Sequence, residues 1–294
     1  MILVVGATGQ VGGMITRRLL DAGQETRILV RADSDHGRFV VAGAQPVVGD
    51  LKEPGTLSVA CTDVDVVITT ANSAARGGED TVETVDLAGN RNLIDAAQTA
   101  GVTRFVFVSL LGATEDSPVP FMRAKAATEG HLRRSDLEWT VLQPNAFMDF
   151  WVSWVVGRPA LEAGPVYLVE GGRRRHSLVA AEDVAAYAVA ALTVDAARNA
   201  VVPIGGPHAV SWRDVVEEFQ QQMGGPLEVR DLRLGEDIPG WPPVLNQLYT
   251  GMAAYDSPVD MTRTSELFGV PPTSLGDFVR SFLARASRDG TRRN

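Results

Sequence analysis

The first half of the chain repeats one pattern: a short unbroken apolar run, then a stretch whose apolar residues recur every three or four positions. Ile2-Leu3-Val4-Val5 is followed by Gln10 to Ala22, where Val11, Met14, Ile15 and Leu19 share a helical face before Gly23 stops the helix. Further apolar runs lie at Thr26–Val30, Pro46–Val48, Asp65–Thr69, Arg104–Leu110 and Glu138–Leu142. Helical patterns fall between them at Thr56–Cys61, Val82–Ala100 and Phe121–Arg134. Strands that are apolar at consecutive positions suit a parallel sheet covered on both faces. The alternation predicts an α/β fold with a doubly wound parallel sheet over residues 1–150.

After Phe150 the rhythm changes, with Trp151, Trp154, Gly157, Pro159 and Gly164 interrupting it. Strands are expected at Val166–Val169 and His176–Val179, and helices at Asp183–Leu192 and Trp212–Met223, the latter capped by Ser211. Asp231 to Asp260 carries Pro239, Pro242 and Pro243 with little periodicity, so Trp241–Tyr249 reads as a lid. A last helix is expected at Leu275–Ala286, and the Arg-rich end from Arg285 to Asn294 is expected to fray. Residues 151–294 thus read as a smaller, partly irregular α/β substrate-binding domain, with the strand and helix near 176–204 returning to the first domain.

Composition removes several classes of function. Of 294 residues, 45% are hydrophobic and 21% charged, which excludes a disordered chain. A net charge of -9, with no basic stripe, argues against direct contact with nucleic acid. A lone Cys61 and four histidines without ligand spacing argue against a metal centre. No stretch approaches the roughly 18 apolar residues of a membrane span, and no leader-like pattern precedes the first strand. The expectation is a cytoplasmic protein, monomer or homodimer, that handles a small molecule.

Candidate chemistry begins directly after the first strand, at Gly6-Ala7-Thr8-Gly9-Gln10-Val11-Gly12. Gly6 permits a tight turn, Gly9 lets the backbone approach a diphosphate, and Gly12 lets helix and strand pack closely. The helix N-terminus then offers amides and partial positive charge to the phosphates. A strand, this turn and a helix together form the signature of a Rossmann dinucleotide site. About 20 residues further on, an NAD site carries an acid for the ribose 2′-hydroxyl. Here Leu29-Val30-Arg31 ends the second strand, with His36 and Arg38 nearby. Arg31 suits a 2′-phosphate, so NADP is expected as cofactor, with NAD the alternative.

Taken in order, these segments resemble the atypical short-chain dehydrogenase/reductases, specifically their NmrA-like NAD(P)-binding group. Gly49-Asp50-Leu51, Thr69-Thr70-Ala71-Asn72, Phe107-Val108-Ser109, Lys125 and Gln143-Pro144-Asn145-Ala146-Phe147 carry the resemblance. Gly205-Gly206-Pro207 and Gly269–Leu275 extend it along nearly the whole chain. It implies that Gly6, Thr8, Gly9, Gln10, Val11 and Gly12 hold the diphosphate and that Asp50 and Leu51 flank the adenine. It further implies that Thr70, Ala71 and Asn72 lie along the cofactor, and that Pro144, Asn145, Ala146 and Phe147 border the nicotinamide. Lys125 would position the nicotinamide ribose.

One departure bears on the reaction. Active members carry YxxxK on a helix, placing phenol and ammonium on one face. This chain reads Phe121-Met122-Arg123-Ala124-Lys125, so the usual proton donor is missing. Three readings stay open. The acceptor is quinone-like or otherwise activated, and its reduced anion takes a proton from water. Alternatively Ser109, Lys125, Tyr167 or His176 supplies the proton, Lys125 and Ser109 being the catalytic candidates. In the third, the protein binds NADP(H) without turnover, as a redox sensor. The resemblance favours an NADP(H)-dependent oxidoreductase acting on an apolar, aromatic or quinone-like carbonyl substrate.

Overall fold

Ile2–Val5 and Arg104–Val108 are buried at every position, as central strands covered on both faces. The computed structural model describes residues 1–74 and 76–291. Strands β1 (Ile2–Val5), β2 (Thr26–Val30), β3 (Gln45–Val48), β4 (Val66–Thr69), β5 (Arg104–Val108) and β6 (Glu138–Pro144) are followed by β7 (Val166–Val169), β8 (Arg175–His176) and β9 (Ala200–Ile204). Seven of them form one parallel sheet in the order β3-β2-β1-β4-β5-β6-β9. In register, Ile2 lies opposite Thr26 on one side and Val66 on the other, and Arg104 opposite Glu138. The connection leaves β1 in one direction toward β2 and β3, then restarts on its other side with β4. The carboxyl ends of β1 and β4 therefore mark the switch point, where doubly wound sheets bind ligands. The Rossmann-like, doubly wound parallel sheet agrees with the sequence reading.

Met1–Pro144, Ala181–Pro203 and Glu266–Val270 make up this first compact unit. Its helices are α1 (Gln10–Asp21), α2 (Gly37–Val41), α3 (Pro54–Ala60), α4 (Asn90–Thr99) and α5 (Pro120–Arg133). Leu3, Val5, Val67, Phe105, Phe107 and Val141 pack against Leu57, Leu93, Ile94 and Leu132 of α3, α4 and α5. Val4, Ile28, Ile68 and Val106 alternate with them and point to the other face. There α1 lies against the helix Ala181–Ala190, with Ile15, Leu19 and Tyr187 fully buried. Cys61 is buried in the first of these layers, and desolvation pushes its thiol up to about 11. It is an inert core residue, as its apolar helix face suggests.

The expected helix Val82–Ala100 is two elements. Val82–Gly89 is π-helical and α4 begins only at Asn90. Asn90 is fully buried, and its amide donates to the carbonyls of Val85 (3.0 Å), Asp86 (3.4 Å) and Ala71 (3.3 Å). A side chain inserted into the carbonyl ladder is a known cause of such widening.

The second unit comprises Asn145–Ala180, Ile204–Ser265 and the chain from Pro271 onward. It holds α6 (Met148–Val152) and α7 (Arg158–Leu161); after the helix Ala181–Ala190, here α8, come α9 (Trp212–Met223), α10 (Pro243–Met252), the first residues of α11 (Thr262–Phe268) and α12 (Leu275–Thr291). Ser211 caps α9 in a reciprocal box with Asp214, as its position predicts. Three expectations are corrected. The strand at His176–Val179 shrinks to Arg175–His176, which pairs antiparallel with β10 (Val210–Ser211). The region from Asp231 is not irregular: it takes in the end of β11 (Val229–Leu232), which pairs parallel with β7, and then all of α10. Helix α12 extends to Thr291, beyond the expected end at Ala286, while residues 292–294 lie outside the described residues.

The lid reading of Trp241–Tyr249 also fails. Tyr249 is 2% exposed, its hydroxyl donates to the Tyr167 carbonyl at 3.2 Å, and the rings of Trp212, Trp241 and Trp151 lie 5.5, 5.7 and 6.3 Å away. Pro243 stands at the first turn of α10, where proline starts a helix and breaks nothing. Tyr249→Ala should therefore cost about 3–5 kcal/mol of stability, read from the midpoint of urea unfolding. A lid residue would show no such loss.

Candidate functional site

The glycine turn is built by close contacts that exclude side chains. Gly6 has φ +87°, and its carbonyl accepts the Gly9 N–H at 3.0 Å. A Cβ on Gly12 would lie 2.1 Å from the Gly6 oxygen, and one on Gly6 would lie 2.6 Å from Thr70 Oγ1. Helix α1 starts immediately after Gly9, with no side chain capping its amides and no acid in its first turn. Its positive end is thus left to an anion. Thr70 backs the turn from β4 and makes no strong bond, its hydroxyl being 3.5 Å from the Val5 and Gly6 carbonyls.

Beside the turn, a cavity of about 50 Å³ sits over the carboxyl ends of β1, β2 and β4 and the chain that follows β3. Gly6, Thr8, Arg31, Asp50, Leu51 and Ala71, six of the candidates, line it together. Thr8, Gly9 and Gln10 face a second, open groove along α1, and Val11 and Gly12 lie within the helix itself. Asp50 holds its own turn, its carboxylate accepting the Lys52 N–H at 2.8 Å. Asn72 does the same locally, donating to the Thr70 carbonyl and accepting the Ala74 N–H at 3.0 Å. Arg31 is already engaged: its Nη1 donates to Asp80 at 2.7 Å. Lys52 and Arg76 share that carboxylate, and none of these three partners carried a recognisable sequence signal.

On α5, Phe121 and Lys125 do share a face. The ammonium lies 5.4 Å from the Phe121 ring centroid and 4.8 Å from that of Phe107. Lys125 is 2% exposed; its Nζ donates to the Val108 carbonyl at 3.3 Å and stands 3.8 Å from Asp86 Oδ1. Burial drives its pKa down, opposed by the charges of Asp86 and Glu129. Asp86, fully buried in the π-helical turn, accepts the Ser73 hydroxyl (2.6 Å) and N–H (3.0 Å) on its other oxygen. Ser109 donates its hydroxyl to buried Glu129, which also takes bonds from Gln143 and Arg133. Glu129 follows Lys125 by four residues on the same helix, a spacing visible in the sequence; Asp86 gave no signal beyond being an acid in an apolar stretch.

Pro144 ends β6, its carbonyl accepting the Leu111 N–H at 2.9 Å. Asn145, Ala146 and Phe147 belong to the second unit. Asn145 donates to the Ser257 carbonyl at 2.8 Å and accepts the Ala146 N–H at 2.7 Å, while Phe147 bridges to Val179. In the same unit His176 Nδ1 is 2.7 Å from the Ser257 hydroxyl, and burial lowers its pKa. Tyr167 receives a weak bond from Arg230 at 3.4 Å.

A parallel doubly wound sheet with an uncapped glycine turn at its switch point defines a dinucleotide-binding protein. The sequence model of the NAD(P)H-binding family matches residues 6–195, and the chain belongs to that family. The NAD(P)H azoreductase of Xenophilus azovorans is 32% identical over 272 residues, 92% of this chain and 87% of its own. The photosystem II assembly factor Ycf39 of Synechocystis is 33% identical over 226 residues, 76% and 68% of the two chains. Among solved structures, the NADPH-dependent quinone oxidoreductase QOR2 of Escherichia coli, complexed with NADPH, superposes with a TM-score of 0.82 at 22% identity, covering 96% of this chain and 100% of its own. The triphenylmethane reductase of Citrobacter sp. with NADP(H) gives 0.82 at 20% identity with the same coverage. These two likenesses show the shared fold. Together the matches agree with the resemblance to atypical short-chain dehydrogenase/reductases. Among the described residues, no helix is long and apolar enough to cross a membrane.

Lys125→Met alone should cost about 3–5 kcal/mol, because it strands the Asp86 carboxylate without a cation. Lys125→Met/Asp86→Asn should recover most of that loss in the same unfolding titration. The pH dependence has a definite sign. The folded-state pKa of Lys125 lies below its unfolded value, so between the two the unfolded chain binds the extra proton. Wild-type stability relative to the double variant should accordingly rise with pH across that window, up to the unfolded lysine value of about 10.4.

Proposed function

We propose that the protein is an NADP(H)-dependent reductase passing hydride to an apolar, aromatic or quinone-like acceptor in the cytoplasm. The observation that carries this reading is the face of α5, where Lys125 stands beside the Phe121 ring and a phenol is absent. Ser109, the other hydroxyl candidate, is hydrogen-bonded to the buried Glu129. Hydride addition to a quinone or an azo bond places charge on a delocalised or nitrogen-centred anion that water protonates. A simple ketone lacks that option and forfeits roughly 10²- to 10⁴-fold without an enzyme acid. The 32% identical azoreductase supports this choice of acceptor class.

The residues fit the cofactor. The α1 amides behind Gly6, Thr8, Gly9, Gln10, Val11 and Gly12 would hold the diphosphate, a seat kept open by a turn that admits no Cβ. Arg31 would take the 2′-phosphate, Asp50 and Leu51 the adenine, and Thr70–Asn72 the strand-end side of the dinucleotide. Pro144 and the residues Asn145, Ala146 and Phe147 after it are assigned to the nicotinamide. When bound, the nicotinamide supplies the hydride. Lys125 would orient the ribose hydroxyls and, as a buried amine of lowered pKa, exchange a proton with them. A second reading, a nucleotide-binding regulator without turnover, is favoured by the 33% identity to an assembly factor.

Three measurements check these assignments. Purified protein should oxidise NADPH with quinones or azo dyes at least about 10²-fold faster than with simple ketones, and Phe121→Tyr should raise the ketone rate specifically. Tight NADPH binding with no turnover on either panel would favour the regulator. Arg31→Ala should weaken NADPH about tenfold and NADH little, with the gap closing as salt rises. Equal loss for both cofactors would remove Arg31 from the phosphate seat.

A further inference from the structure

Asp80 sits beneath three cations. Its Oδ1 accepts Lys52 Nζ at 2.6 Å; its Oδ2 accepts Arg31 Nη1 at 2.7 Å and lies 3.6 Å from Arg76 Nη1. The carboxylate side chain is 7% exposed, while the cations above it are 41% (Arg31), 27% (Lys52) and 30% (Arg76) exposed. An ammonium has three donors and a guanidinium five, so donors remain on each cation after Asp80 is served. They line a hollow of about 470 Å³ with Gly77 and Glu79, and Arg31, Arg76 and Asp80 are shared with the cavity beside the glycine turn. Two further acids act on the group: Asp50, 3.8 Å from Lys52, and exposed Glu79, both raising the lysine pKa. Arg31, Lys52 and Arg76 thus face Asp50, Glu79 and Asp80, three charges against three.

That balance has a consequence for the ligand. Three clustered cations without a counter-ion would repel one another and would leave a cofactor with only a 2′-hydroxyl facing uncompensated charge. Asp80 supplies the missing anion from within the protein, held at the end of a turn whose Gly77 and Gly78 both have positive φ. A phosphate dianion arriving at the same cations meets their free donors but also the field of Asp80.

We propose that Asp80 is a cofactor-specificity residue: an internal carboxylate that tempers the pull of Arg31, Lys52 and Arg76 on a 2′-phosphate and so lets the site accept both NADPH and NADH. The inference rests on the reading that the cavity holds an NAD(P) adenosine. Removing the charge while keeping the shape leaves three cations against two acids. Asp80→Asn should therefore raise the ratio of NADPH to NADH affinity about tenfold, chiefly by tightening NADPH, with the increment fading at high salt. Exposed Glu79→Gln applies the same logic without touching a buried group and should raise the ratio about threefold.

The test is calorimetric titration of NADPH and NADH into wild type and both variants, with thermal melting confirming the fold. A higher ratio in Asp80→Asn, or in Glu79→Gln where Asp80→Asn does not fold, supports the proposal. A ratio unchanged in both folded variants overturns it. A lower ratio in Asp80→Asn also overturns it and makes Asp80 an organiser of the phosphate clamp instead. Wild type that binds neither dinucleotide overturns the cofactor reading and this inference together, whereas normal wild-type binding with unresponsive variants overturns this inference alone.

Discussion

Everything at the nucleotide end depends on how closely α1 approaches the turn that precedes it. The Gly6 carbonyl lies where a Cβ on Gly12 would fall, 2.1 Å away, and the Gly6 Cα faces the Thr70 hydroxyl across the switch point. The turn after β1, the start of α1 and Thr70 at the end of β4 therefore interlock with no room for a Cβ on Gly6 or Gly12. The register of β1 against β4, with Val5 opposite Thr69, sets the height of that contact. Because the helix start is fixed by backbone contact, its amides point the same way whatever the flexible side chains nearby do. Preorganised donors of this kind need no rearrangement when an anion arrives.

Charge in the first unit is handled twice by one device, a buried acid beneath cations, with opposite results. Around Lys125, burial is nearly complete on both partners, Asp86 keeps one oxygen without a hydrogen bond, and the lysine is held below its ordinary basicity. Such a pair costs desolvation, and an apolar pair would serve stability as well. Around Asp80 only the acid is buried; its cations reach water. There the Lys52 bond and the nearby arginines lower the carboxylate's pKa, and the group keeps its charge at neutral pH. The first arrangement suits a group that exchanges a proton, the second a group that only sets a local field.

The second unit uses aromatic packing where the first uses β-branched and leucine layers. Trp151, Trp212, Trp241 and Tyr249 lie ring against ring, and β7, α9 and α10 converge on them. Rings bury much apolar area with few torsions to fix, so a unit with only two-stranded sheets still acquires a firm core. Asn145, which follows the last residue of β6, is fastened at both ends of its amide to Ser257. The loop assigned to the nicotinamide is therefore held by hydrogen bonds within its own unit.

The sheet, its strand positions, the uncapped turn, the shared face of Phe121 and Lys125 and the capping of α9 were all legible in the chain itself. Each depends on residues close together in sequence, whose period, turn chemistry or spacing survives without tertiary context. The edge strand β9, the π-helical turn before α4 and helix α10 were not legible, because each has partners distant in sequence: β6 for the strand, Ala71 for the turn, Trp151 and Trp212 for the helix. The same division runs through the chemistry. Sequence alone nominated Arg31 for a phosphate and put Lys125 on the helix face of Phe121. Only tertiary structure brought Asp80 to Arg31 across 49 residues and Asp86 to Lys125 across the sheet's helical layer, and so decided which of their charges are balanced. A charge's neighbours are set by the fold, and its pKa and field follow from those neighbours.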